Sequence, residues 1–110
     1  MLHGARPVFV DVRSDTLNID PDQVAAAITP RTRAICVVHY GGVGAEMELL
    51  TSLSTKHGLM IVEDNAHGLF GKYNGRYLGT FGALATQSFH ETKNITCGEG
   101  GALIINDESL

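Results

Sequence analysis

Short apolar runs rich in β-branched residues alternate along the chain with segments of helical period, the arrangement of βαβ units feeding a largely parallel sheet. Pro7 to Asp11 reads as a first strand. Asp20 is placed to cap a helix that takes Pro21 at its first position and runs through Ile28, with Pro30 ending it. Arg33 to His39 encloses a continuous apolar run, the pattern of a strand covered on both faces, and Gly41-Gly42-Val43-Gly44 breaks it. Apolar residues at Met47, Leu50 and Leu53 predict a second crossover helix over Glu46 to His57, with Gly58 as its C-cap.

Leu59 to Val62 is the next predicted strand, ending in the polar cluster Glu63-Asp64-Asn65-Ala66-His67-Gly68. Lys72 to Tyr77 carries Asn74-Gly75 between β-formers, a strong hairpin signal. Ala83 to Phe89 and Gly100 to Asn106 read as two further strands separated by a polar loop. The fold class is therefore α/β. No helix or strand is predicted before the first strand, and the last stops four residues before Leu110. Helices needed to cover part of the sheet are missing, so exposed apolar edges are expected and the chain reads as a piece of a larger domain. A small, complete doubly wound domain is the alternative.

With 110 residues, 44% hydrophobic and 18% charged, one compact core is the ceiling. Eight Lys and Arg against twelve Asp and Glu give a formal charge of −4, which offers no basic face for a phosphate backbone and argues against nucleic acid as the main partner. No apolar run approaches the ~20 residues that span a bilayer. The opening Met1 to Pro7 lacks the build of a secretory signal, so the expectation is a cytoplasmic protein without a membrane partner. Cys36 and Cys97 show neither a disulfide framework nor a zinc-site spacing.

Of three lysines, Lys56 lies late in a helix and Lys72 flanks the hairpin, whereas Lys93 sits in a polar loop between two predicted strands. Desolvated there, its free amine would be a nucleophile towards an aldehyde, the chemistry of Schiff-base formation; an exposed loop lysine is the plainer reading. Asp64, at a strand end, can hold a cation within a cleft, such as the ring nitrogen of a pyridoxal group, or can simply cap the next turn. Glu63, Asp64 and His67 also suggest a metal, but adjacent strand residues face opposite sides. Ser88 is placed to donate to a phosphate or to nearby backbone. His39, His67 and His90 each follow an apolar strand and are expected along the same carboxyl edge as Asp64. Gly98-Glu99-Gly100-Gly101 precedes a strand rather than a helix, so it is no dinucleotide fingerprint; it suits close approach of backbone to a cofactor or to Lys93, or a plain turn.

Taken in order, Val62 to Gly68, Ser88-Phe89-His90-Glu91-Thr92-Lys93-Asn94 and Gly98 to Ala102 resemble the DegT/DnrJ/EryC1/StrS family of sugar aminotransferases, as do Gly4 to Val12 and Val38-His39-Tyr40-Gly41-Gly42. The resemblance spans essentially the whole chain. It implies a fragment of a pyridoxal-phosphate-dependent transferase large domain of the aspartate-aminotransferase type, with residues 1–110 as a partial cofactor-binding domain and the upstream phosphate loop and C-terminal small domain absent. By that likeness Lys93 would bind pyridoxal 5′-phosphate covalently and serve catalysis, Asp64 would bind its pyridine nitrogen, Ser88 its phosphate, and His67 would lie close to its ring. The implied reaction moves an amino group from glutamate to a nucleotide-linked oxo-deoxy sugar, dTDP-4-oxo-6-deoxyglucose by the wording of the motifs, in a homodimer. Another oxo nucleotide sugar, or a non-catalytic α/β piece, are the rivals. Relatives with His at the lysine position are dehydratases, and Lys93 argues against that branch. Ala83, where the family often has an acidic residue, and Cys97 depart from its pattern.

Overall fold

The computed structural model describes residues 4–110; Met1, Leu2 and His3, where the reading for a signal begins, lie outside them. Asp20 caps the first helix, α1 (Pro21–Ala27), its carboxylate accepting from the Asp22 amide at 2.9 Å, and Pro21 occupies the first turn, where no amide is needed. Strand β1 (Ala34–Val38) follows, then a single 3₁₀ turn over Tyr40–Gly42 and the second helix, α2 (Met47–His57). Gly58 ends α2 in the left-handed conformation at φ 63°, and its amide returns to the carbonyls of Ser54 and Thr55. Beyond it come β2 (Met60–Asp64), the short hairpin β3 (Lys72–Tyr73) and β4 (Arg76–Tyr77), then β5 (Leu84–Ser88) and β6 (Gly101–Ile105). Asn74 and Gly75 turn the hairpin with φ of 48° and 82°, as the Asn-Gly pair predicts.

The main sheet has the order β1-β2-β5-β6. Its first three strands run parallel, with Val38 beside Asp64 and Asp64 beside Thr86, while β6 lies antiparallel to β5. The α/β class stands, in a mostly parallel sheet. The core lies on one face, where Ile35 and Val37 of β1, Ile61 of β2 and Met47 and Leu50 of α2 pack with Val24 of α1.

Three expectations need correction. Pro7 to Asp11 forms no strand: the nearest pairing is an isolated bridge of Val12 with Ile19 just beyond it, and Phe9 is 90% exposed. A strand exists by its ladder, and among the described residues none lies beside this segment. β1 is covered on one face only, with Ala34, Cys36 and Val38 exposed between buried Ile35 and Val37, because the helices pack on a single side. β2 continues two residues past Val62, so Glu63 and Asp64 belong to the strand and not to the loop after it. The expected exposed apolar edges are present, in Val38 of β1 and in Leu103 and Ile105 of β6.

Candidate active site

Parallel strands deliver their carboxyl ends to one edge of the sheet, and ligands of such sheets bind outside that edge. Here an open cleft of about 250 Å³ lies beyond β2 and β5, with Gly41, His67, Gln87, Ser88, Lys93 and Asn94 in its lining. Lys93 is half-buried and is held by a turn in which its amide donates to the His90 carbonyl at 2.9 Å. Among the described residues no carboxylate pairs with its ammonium group. The Ser88 side chain, at the end of β5, accepts a long bond from the His90 amide at 3.4 Å, which leaves its hydroxyl hydrogen for another partner. His67 is exposed, receives the Gly41 amide at its Nδ1 at 3.3 Å and meets the ring of Tyr40 edge-on at 6.0 Å.

Asp64 does not line this cleft. It lies one strand over, on the same sheet face as Thr86 and Ser88, half-buried, with Oδ1 accepting from the Ala66 amide at 3.1 Å. The structure thus gathers His67, Ser88 and Lys93 around one space and sets Asp64 at its border.

Glu63 faces the other way and is fully buried. Its carboxylate accepts from the backbone amides of Gly79, Phe81 and Gly82 at 2.7, 2.7 and 2.6 Å, and from Nε2 of His39 at 2.8 Å. His39 is equally buried, and its Nδ1 accepts the Ala45 amide at 3.2 Å. A backbone amide can only donate, so Nδ1 carries the lone pair and Nε2 the hydrogen: His39 is the neutral tautomer, donating to an anion. Burial raises the Glu63 pKa, but the hydrogen bonds from His39, Gly82 and Gly79 outweigh it and hold the carboxyl below its ordinary value.

This arrangement corrects the sequence reading at His39. His39 is withdrawn from the carboxyl edge into the core, because its two ring nitrogens are spent on Glu63 and Ala45. Glu63, with four donors on its oxygens, has no free valence for a metal shared with Asp64 and His67. His90 stays near the edge, its Nδ1 2.9 Å from Thr92 Oγ1. The glycines at the start of β6 allow close approach within the chain: a Cβ on Gly101 would stand 2.7 Å from the Gln87 carbonyl oxygen, and one on Gly100 2.6 Å from Cys97 Sγ. Sequence reasoning also passed over Asn65 and Gln87. Both are buried and joined at 2.9 Å, and Asn65 donates further to the Leu78 carbonyl at 3.2 Å.

The residues present suit a pyridoxal group. The cleft offers an amine for an aldehyde, a hydroxyl for a phosphate and an imidazole to lie against a ring, with a carboxylate on the neighbouring strand end for a ring nitrogen. Its volume falls below the ~300–1,000 Å³ of sites that enclose a whole drug-sized ligand.

The sequence pattern of the DegT/DnrJ/EryC1/StrS aminotransferase family matches residues 1–110. Over 107 residues the chain is 45% identical to the spore coat polysaccharide biosynthesis protein SpsC of Bacillus subtilis (strain 168), covering 97% of this chain and 28% of that protein. An aminotransferase from Psychrobacter cryohalolentis superimposes with a TM-score of 0.92 at 40% identity, over 96% of this chain and 27% of that one. A protein of Streptococcus pneumoniae described as a sugar aminotransferase, in its PMP form, does so with a TM-score of 0.86 at 32% identity, over 93% and 29%. The chain spans little more than a quarter of the length of these proteins.

Proposed function

The chain belongs to the DegT/DnrJ/EryC1/StrS aminotransferase family, and from that premise we propose that residues 1–110 are the central part of the cofactor-binding domain of a longer, cytoplasmic, homodimeric enzyme. That enzyme transfers an amino group from glutamate to a nucleotide-linked oxo-deoxy sugar, with dTDP-4-oxo-6-deoxyglucose as the acceptor. The observation that supports this reading best is the cleft in which Lys93, Ser88 and His67 meet at the carboxyl ends of parallel strands.

Pyridoxal phosphate, when bound, supplies an aldehyde that condenses with amines and a protonated ring that withdraws electrons from the carbon being deprotonated. In the proposed site Lys93 Nζ would hold the aldehyde covalently, with loss of water, and as a free amine would serve as the base and acid that moves a proton. Asp64 keeps the ring nitrogen protonated by offering its carboxylate as the counter-charge. Ser88 donates its hydroxyl to the phosphate, and His67, fixed through Nδ1 by the Gly41 amide, lies against the ring.

The test is a transamination assay on the intact enzyme with pyridoxal phosphate, glutamate and dTDP-4-oxo-6-deoxyglucose. The expected products are 2-oxoglutarate and the 4-amino sugar in equal amounts, with Lys93→Ala slower by about a thousandfold or more. Turnover with a different oxo nucleotide sugar alone would move the assignment within the family. Absence of 2-oxoglutarate with every oxo sugar would overturn it.

A further inference from the structure

Strand β2 sends two neighbouring carboxylates to opposite sides, and only Asp64 faces the side proposed for the cofactor. Glu63 is the better anchored of the two. Its four donors come from two places, the loop Gly79–Gly82 and His39 just after β1, and His39 is itself held by the Ala45 amide ahead of α2. Two further bonds lead from this clamp to the cleft. The His39 amide donates to the Asp64 carbonyl at 3.2 Å, tying the two strand ends together, and His39 supports the turn Tyr40–Gly42, whose Gly41 amide holds His67. Asn65, the residue after Asp64, binds the Leu78 carbonyl at the near end of the same loop and Gln87 in the cleft lining.

A buried anion with neutral partners is costly unless every lone pair is used, and a carboxylate satisfied by four N–H groups is stiff because any shift breaks several charge-assisted bonds together. We propose that Glu63 and His39 are positioning residues for the cofactor site: their buried hydrogen-bonded clamp fixes the end of β2 and the turn after β1, so that Asp64 and His67 present a fixed geometry to the ring. This rests on the function proposed above. Neither residue touches the reacting atoms. Glu63→Gln keeps the shape but turns one acceptor into a donor that faces an N–H, and His39 cannot swap tautomer to relieve it because its other nitrogen meets the Ala45 amide.

The experiment uses the intact enzyme and pyridoxal phosphate as the probe, following the visible absorption of the bound cofactor. Affinity, the pH midpoint of the absorption band and the melting temperature of the cofactor-free protein are measured for wild type, Glu63→Gln and His39→Asn. Glu63→Gln is expected to weaken cofactor binding about tenfold or more and to move the band's midpoint by about half a pH unit or more, with His39→Asn shifting both the same way by less. Variants that melt earlier yet keep the wild-type affinity and midpoint would make the clamp merely structural and overturn the inference. Should Glu63→Gln not fold, His39→Asn alone decides between these results. Wild-type enzyme that takes up no cofactor would defeat the proposed function as well, whereas normal wild-type uptake with unaltered variants defeats only the clamp.

Discussion

On one face of the sheet Ile35, Val37, Ile61 and Ala85 are buried beneath helices and loops, and Glu63 has each oxygen bonded. On the other, Val38, Met60, Leu103 and Ile105 lie open, and the polar groups among them, Asp64 and Ser88, are those assigned to a cofactor. The two faces are made by alternate residues of the same strands, so the contrast comes from what covers each and not from composition. The covered face is closed over β1, β2 and β5, while Ala102 at its β6 edge is exposed and the buried Asn65 Oδ1 accepts no hydrogen bond among the described residues. The bare face has apolar side chains suited to a core and nothing among the described residues packed on them, which is the state expected of a sheet whose second layer belongs to a longer chain.

The largest effect expected from this contrast is in side-chain truncation. Leu50→Ala empties the covered face and should lower stability by about 2–5 kcal/mol in chemical denaturation, both in the 110-residue chain and in the intact enzyme. Met60→Ala should cost less than about 1 kcal/mol in the 110-residue chain, where Met60 is 43% exposed. In the intact enzyme it should cost about as much as Leu50→Ala. Equal small costs in both proteins would break the comparison, leaving the bare face as true surface.

A smaller effect is expected in acid. Glu63 titrates below its ordinary value of 4.5 when folded, so between the two values the unfolded chain binds the extra proton. Its contribution to stability is then full above pH 4.5 and declines as pH falls through the folded value. Unfolding curves taken across this range should show an acid limb that flattens in Glu63→Gln, and an unchanged limb in the variant would show that the buried carboxylate is not its source.

Much of this was legible from local signals. Asp20-Pro21, Gly58 and Asn74-Gly75 each dictate backbone geometry within a few residues, and the elements they bound are where they were expected. Pro7–Asp11 was misread because a strand depends on a distant neighbour that its own sequence does not reveal. Lys93, Ser88 and His67 were legible as strand-end and loop groups, and through their family wording. The Glu63–His39 clamp was not, since its members lie 24 residues apart and its backbone donors have no side-chain signature. One signal was available: an acid at the apolar phase of β2, two residues after Ile61, followed by the glycine-bearing Leu78-Gly79-Thr80-Phe81-Gly82, whose backbone can approach closely. A Cβ on Gly82 would stand 2.5 Å from the Ile61 carbonyl oxygen.

The central claim, that the cleft binds a pyridoxal group through Lys93, is tested most directly by reducing the intact, cofactor-treated enzyme with borohydride and mapping the labelled peptide. These residues contain three lysines, Lys56, Lys72 and Lys93. The account predicts one pyridoxyl group per subunit, on the peptide carrying Lys93. Label on Lys56, on Lys72 or outside residues 1–110, with Lys93 unmodified, would contradict it.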